Sequence, residues 1–313
     1  MSTIFGPINS RRFGNSLGID LSPAFKQCNF DCLYCELAPA ATVEKQSDTV
    51  SVESIITELK AALQEHKNID EITITANGEP TLYPHLDALL REIDKIKGDK
   101  ETLILTNSAT LTDSAVFETL LKFDQVKLSL DAVTPEVFTK IDRPHPSLKI
   151  DDVVSAIERF SHVYGGKLFI EILFVRGLND TPEEIEALNA VLKKIEALRI
   201  DIGTIDRPPA YPVEGISYGE LHKIATQFDA HLPINIASRR HAEFAPSAYT
   251  EEEIVNTLDK RPLTQEDIEI LFDDASKKRL QALIDAKKIV KIERAKLEFY
   301  IPAENAQRKR RKS

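Results

Sequence analysis

Short β-branched runs alternate with longer amphipathic segments along most of this 313-residue chain, and that alternation limits the folds open to it. The runs Ser16–Leu21, Glu71–Thr75, Thr102–Thr106, Gln125–Leu130, Lys167–Phe174 and Ile200–Ile205 read as strands. Helical patterns lie between them at about Val52–His66, His85–Lys97, Asp113–Phe123, Asp151–Tyr164 and Thr181–Leu198. In the first of these, Val52, Ile55, Ile56, Leu59 and Leu63 recur at helical spacing. Thr181 ahead of Pro182 has the form of an N-cap followed by proline in the first turn. Strands joined through helices run parallel, and right-handed crossovers curl such a sheet toward a barrel. The pattern predicts an α/β fold, a partial (β/α)6 TIM-like barrel with fewer units than a complete one. A helix near Tyr218–Phe228 and a short strand near Ile234–Ala237 would close or extend it.

From about Tyr249 the pattern changes. Glu251–Leu258, Gln265–Phe272 and Ser276–Ala286 read as helices, the second capped by Thr264 with Asp267 completing an acidic capping box. Ile289–Glu293 and Lys296–Ile301 read as a two-stranded wing. The expected organisation is a barrel domain over 1–240, a small C-terminal winged-helix-like domain over 249–303 and a basic disordered tail over 304–313. Lys277, Lys278 and Arg279 open the third helix and suit nucleic-acid docking; with Asp273 and Asp274 beside them, a solvated face on a protein-interaction module fits equally.

Five of the 40 basic residues sit in the run Arg308–Lys312, leaving 35 against 50 acidic ones, so the chain is no globally basic nucleic-acid coat. No apolar run approaches a membrane span and no signal pattern opens the chain, so the expected compartment is the cytoplasm, with no membrane partner. The only three cysteines, Cys28, Cys32 and Cys35, fall within eight residues. They cannot form a dispersed disulfide framework, and their clustering points to metal or redox chemistry.

The cysteine loop follows the first barrel strand, at the C-terminal rim where barrel active sites sit. Thiolates suit zinc or iron–sulfur groups. Cysteines with three and then two residues between them can wrap three corners of a cubane cluster, leaving one iron open to an exogenous ligand. A structural zinc would need a fourth ligand from the seven histidines, none at tight zinc-finger spacing. Three buried structural thiols are the remaining alternative.

Cys28-x3-Cys32-x2-Cys35, with Tyr34 before the last cysteine, resembles the signature of the radical S-adenosylmethionine (SAM) superfamily. The resemblance implies that residues 1–240 form a radical SAM core and that Cys28, Cys32 and Cys35 hold a 4Fe-4S cluster. It implies that SAM chelates the fourth iron and is cleaved reductively to methionine and a 5′-deoxyadenosyl radical, which takes hydrogen from a substrate. A reductant such as flavodoxin or ferredoxin would supply the electron. Asn77-Gly78-Glu79-Pro80 is similar to the family's Gly-Gly-Glu-type motif, in which backbone and carboxylate meet the SAM ammonium group, with Asn77 departing from the pattern. Tyr34, Gly78, Glu79, Pro80, Asn107, Ser129 and Asp131 are therefore candidate SAM-binding residues. Glu171 faces either into the barrel or outward, Asp206 and Arg207 either contact substrate or form a rim ion pair, and Arg11, Arg12, Arg143, Arg176 and Arg207 either grip a phosphate or form separate ion pairs.

The opening Phe5–Gly14 segment, with Asn77–Leu82 and Asp206–Pro209, resembles a wyosine-synthase-like group within that superfamily. True wyosine enzymes carry a second cluster on additional cysteines, which this chain lacks, so their pyruvate chemistry is not implied. The expectation is a radical SAM enzyme acting on tRNA or another RNA. Modification of a peptide or protein is the alternative enzyme reading, and an iron–sulfur sensor regulating transcription is the non-enzymatic one.

Overall fold

A computed structural model describes residues 2–10, 14–236, 248–260, 262–294 and 297–310. Its main sheet carries eight strands in chain order: β1 (Ile4–Ser10), β2 (Gly14–Asp20), β3 (Glu71–Thr75), β4 (Glu101–Thr106), β5 (Gln125–Ser129), β6 (Lys167–Phe174), β7 (Arg199–Thr204) and β8 (Ile234–Ile236). Every neighbouring pair from β2 to β8 is parallel, whereas β1 runs antiparallel to β2. The crossovers are α1 (Val52–Glu65), α2 (Leu86–Asp94), α3 (Ser114–Leu120), α4 (Pro135–Ile141) followed by α5 (Ile150–Val163), α6 (Pro182–Leu192) and α7 (Tyr218–Ala225). The six expected strand–helix units are therefore present, from β2–α1 to β7–α7, and β8 adds one more strand. β1 and β8 form the two ends of the sheet, so the barrel is open.

Local chemistry sets the helix starts. Ser51, Asp113 and Thr181 accept backbone N–H groups at the heads of α1, α3 and α6, and Ser217 with Glu220 makes a full capping box on α7. β1 has no clear periodic signal because Gly6-Pro7 interrupts it and its register shifts between Phe5 and Ile8. An edge strand tolerates proline, which lacks the N–H that an interior strand must donate. Gly18 of β2 opposes Phe5 of β1, and the Phe5 ring fills the space over it: a Cβ at 18 would stand 2.1 Å from that ring.

Alternate residues along each strand face opposite ways. Leu17, Ile19, Ile72, Ile74, Val126, Leu128, Ile170, Ile172, Ile200 and Ile202 are fully buried in the main hydrophobic core, with the helices packed over them. The other face mixes polar residues with Leu103, Leu105 and Phe169. Near its base, Gln125 Nε2 donates to Glu71 Oε2 (2.9 Å) and Glu101 Oε2 (2.6 Å), Thr73 donates to Glu71 Oε1 (2.9 Å), and Lys167 donates to Glu101. This network plugs the N-terminal end of the sheet's concave face and leaves the C-terminal end for chemistry.

The C-terminal elements are α8 (Glu251–Lys260), β9 (Leu263–Thr264), α9 (Gln265–Leu271), α10 (Asp274–Asp285), β10 (Ile289–Arg294), β11 (Leu297–Pro302) and α11 (Ala303–Arg310). They have a separate core that includes Ile254, Leu258, Phe272 and Leu280. The three expected helices, the Thr264–Asp267 capping box and the hairpin are present; β9, pairing with β11, is additional. The tail expected to be disordered is instead helical from Ala303 to Arg310. Its Ala, Glu, Gln, Lys and Arg residues are good helix formers, and Ala303 N donates to Lys288 O while Asn305 Nδ2 donates to Asp259 Oδ1 (2.6 Å). The junction near residue 240 lies outside the described residues.

Burial, with Glu101 nearby, pushes the Glu71 carboxyl from its ordinary 4.5 up to about 7. Folded Glu71 keeps its proton where the unfolded chain has lost it, so this group's contribution to stability falls as pH rises through that window. Glu71→Gln should flatten part of the loss of stability between those two values, read as urea midpoints across the range; an unchanged slope would contradict this origin.

Candidate functional site

The cysteine loop leaves the end of β2 and is stitched to the end of β3. Asp20 Oδ1 accepts Asn77 N (2.9 Å) and Ser22 N (3.0 Å). Gln27 N donates to Asn77 O (2.9 Å) and Glu79 N donates to Gln27 O (3.0 Å), an isolated parallel bridge between Gln27 and Gly78. Gly78 has φ +135°, and a Cβ there would lie 1.9 Å from the Gln27 carbonyl oxygen. Gln27 is buried, and its side chain meets Ser22, Ser47 and Asp48. Gly78 thus serves the approach of one protein loop to another.

All three thiols are free and lie close enough to perturb one another. Cys28 Sγ accepts Phe30 N (3.4 Å) and Asn107 Nδ2 (3.7 Å). Cys35 N donates to Cys32 O (3.1 Å), which turns the last spacer back on itself. The loop from Asn29 to Leu33 docks on the end of α4 and the chain that follows it: Asp31 N donates to Asp142 O (3.1 Å), Leu33 N to Ile141 O (2.9 Å) and His145 N to Asn29 O (2.8 Å). Burial pushes the Cys28 thiol up to about 12 and raises Cys32 and Cys35 as well, Cys32 further through the carboxylate of Asp142. Among the described residues, no three Cys, His, Asp or Glu side chains converge on a single-ion site. Thiolates are soft donors, and a cubane places each of three on its own iron. Three soft donors on one loop therefore fit a cluster.

Glu79 lies at the adjoining turn, almost fully buried. Its Oε1 accepts Thr81 N (3.0 Å), Thr81 Oγ1 (2.5 Å) and Thr106 Oγ1 (2.6 Å), and its Oε2 accepts Asn107 N (2.7 Å). Both oxygens are engaged by the protein, and the carboxylate caps the short 3-10 turn that Pro80 opens. The contacts of Glu79, Gly78 and Pro80 are those of a frame joining β3 to β4. The Asn77-Gly78-Glu79-Pro80 motif was legible, but this division of labour was not, because the partners Gln27 and Thr106 are remote in sequence.

Tyr34, Asn107, Ser129 and Asp131 line one small pocket with Phe30 and Asp142. Asn107 Nδ2 also donates to Asn29 Oδ1 (2.6 Å), and Ser108 Oγ donates to the Ser129 carbonyl (2.7 Å). Tyr34 OH donates to Asp131 Oδ2, while Asp131 Oδ1 accepts Leu173 N (2.7 Å). Asp131 is buried, which raises its carboxyl to about 7. It ties the cysteine loop to β6 and is less available to a ligand than Ser129 or Asn107, which are both partly exposed.

Glu171 pairs with Ser129 in the β5–β6 register and faces the concave side, where Lys127 Nζ approaches Glu171 Oε2 (2.6 Å). The arginine set does not assemble into a phosphate clamp among the described residues. Arg176 is bidentate to Glu220, Arg207 pairs with Glu36, and Arg143 sits 4.7 Å over the Tyr211 ring. Arg11 and Arg12 lie outside the described residues. Sequence reading missed Gln27, Asp31 and Tyr211, which carry no motif of their own.

A family model described as the radical SAM superfamily matches residues 23–189. The chain is 38% identical over 299 residues to a UPF0026 protein of Helicobacter pylori, covering 95% of this chain and 96% of that protein. It is 27% identical over 222 residues to a GTP 3′,8-cyclase of Nautilia profundicola, covering 69% of this chain and 66% of that one. A solved radical SAM methyltransferase from Sphaerobacter thermophilus shares the fold at a TM-score of 0.57 and 16% identity, over 72% of this chain and 67% of that one. Members of the matched family use a 4Fe-4S cluster and SAM. The chain belongs to the radical SAM superfamily of enzymes.

Proposed function

We propose that Cys28, Cys32 and Cys35 hold a 4Fe-4S cluster and that SAM occupies its fourth iron at the C-terminal end of the sheet. The observation that carries this reading is the bridge between Gln27 and Gly78, which fastens a loop of three free thiols to the ends of β2 and β3. When bound and reduced, the group supplies one electron that splits SAM into methionine and a 5′-deoxyadenosyl radical, which takes a hydrogen atom from substrate. The chain's own residues position and shield. Ser129 and Asn107, partly exposed beside the loop, offer polar contacts to SAM. Tyr34, Asp131, Gly78, Glu79 and Pro80 fix the loop and the strand ends around it. The electron would come from a flavodoxin- or ferredoxin-like donor in the cytoplasm. No helix among the described residues is long and apolar enough to cross a membrane.

We take the substrate to be a nucleotide unit, within RNA such as tRNA. The likeness to GTP 3′,8-cyclases favours nucleotide chemistry, and the Lys127–Glu171 pair makes the concave face suited to a polar substrate. The barrel domain, 1–240, would carry the reaction, and the unit at 249–303 would act as a winged-helix-like docking module, supported by its order of helices and hairpin. That docking does not rest on the whole basic start of α10. Lys277 pairs with Glu269 (2.6 Å) and Arg279 donates to Tyr249 O (2.8 Å), which leaves Lys278 as the exposed cation of the three without such a contact. This weakens the transcription-regulator reading, which depends on that helix.

Protein reconstituted without oxygen, reduced with dithionite and given SAM should release 5′-deoxyadenosine and methionine. Replacing any one of Cys28, Cys32 or Cys35 by Ala should reduce both cluster content and release to background. A variant that kept both would overturn the ligand assignment. Glu79→Gln leaves donors facing an amide and should cost about 1–3 kcal/mol of stability together with SAM affinity. Lost SAM affinity at an unchanged melting temperature would instead assign Glu79 a direct contact.

A further inference from the structure

The spacer between the first two cysteines contains a charged hub with no part in ligation. Asp31 immediately precedes Cys32, and its side chain is only 9% exposed. It accepts Lys26 Nζ at 2.8 Å and the Tyr211 hydroxyl, and Arg143 Nη1 lies 3.3 Å away. Lys26, two residues before Cys28, is equally sheltered at 7%. Ala210 N donates to Cys35 O (2.8 Å), and Arg207 pairs with Glu36. The 207–211 segment thus meets the loop in its middle, at Asp31, and at its end, at Cys35 and Glu36. A buried cation and a buried anion are therefore fixed on the same short loop as the three thiols. Little water lies between such groups, so their charges are weakly screened.

We propose that Lys26 and Asp31 set the reduction potential of the cluster from opposite sides, Lys26 raising it and Asp31 lowering it. This rests on the reading that Cys28, Cys32 and Cys35 hold a 4Fe-4S cluster. Reduction adds one electron to the group, so a fixed positive charge beside it favours the reduced form and a fixed negative charge disfavours it. Tyr211 adds a neutral hydrogen bond to the hub and brings no formal charge of its own.

The test is redox titration of reconstituted full-length protein, followed by the electron paramagnetic resonance signal of the reduced cluster, with iron and sulfide content measured for each sample. Lys26→Met should shift the midpoint to more negative potential, and Asp31→Asn should shift it to more positive potential. Lys26→Arg and Tyr211→Phe, which keep every formal charge, should stay near wild type. A merely structural role would move Lys26→Met and Asp31→Asn in the same direction, and Tyr211→Phe with them. That pattern, or no shift in either charge variant at wild-type iron content, overturns the proposal. Should Lys26→Met take up no cluster, Asp31→Asn against Tyr211→Phe still decides by sign. A wild-type protein that takes up no cluster at all overturns the cofactor reading, and this inference falls with it.

Discussion

The contact on which the rest of the site depends is between two main chains. Gln27 exchanges hydrogen bonds with Asn77 and Glu79. The approach is possible because residue 78 has no Cβ, which would otherwise stand 1.9 Å from the Gln27 oxygen. From this bridge the geometry spreads in two directions. Toward β4, the buried Glu79 carboxylate gathers Thr81, Thr106 and Asn107. Toward the cysteines, it sets the direction in which residues 28–35 leave the sheet, and Asn107 closes the circuit by reaching back to Cys28 and Asn29. Buried polar networks of this kind are rigid when every member is satisfied. A loop carrying three metal-ligating thiols needs that rigidity, because no regular secondary structure holds it.

The sheet supplies the second half of the arrangement. One face is apolar and covered by helices; the concave face carries a polar network that closes its base through Glu71, Gln125, Glu101 and Lys167. A small pocket lies at the C-terminal strand ends, beside the cysteine loop, as expected of a parallel βα architecture. Radical chemistry requires a site sheltered from water, and the strap from β7 to the cysteine loop through Ala210 and Tyr211 contributes to that shelter. The C-terminal unit has its own small core and lies apart from this chemistry in sequence.

What was legible in the sequence follows from the range of the interactions involved. The six strand–helix units were readable because periodicity and capping are local: Thr181 and the Thr264–Asp267 box stand at helix starts as their spacing implies. The cysteine signature was readable for the same reason. β1 was hidden by Gly6-Pro7. The tail was misread as disordered because charge density outweighed helix propensity, and because the anchoring Asp259 and Lys288 are distant in sequence. Roles inside the site were less legible than its location. Glu79 and Asp131 have the chemistry of SAM ligands, and their oxygens also accept hydrogen bonds from Asn107, Thr106, Tyr34 and Leu173, partners remote in sequence.

The most direct test of the central claim is the electron paramagnetic resonance spectrum of the reduced, reconstituted protein before and after SAM is added. A cluster held by Cys28, Cys32 and Cys35 alone leaves one iron for SAM, so the account predicts a cluster signal whose shape changes on SAM addition. A cluster signal that SAM leaves untouched, or protein that instead takes up stoichiometric zinc, would contradict it.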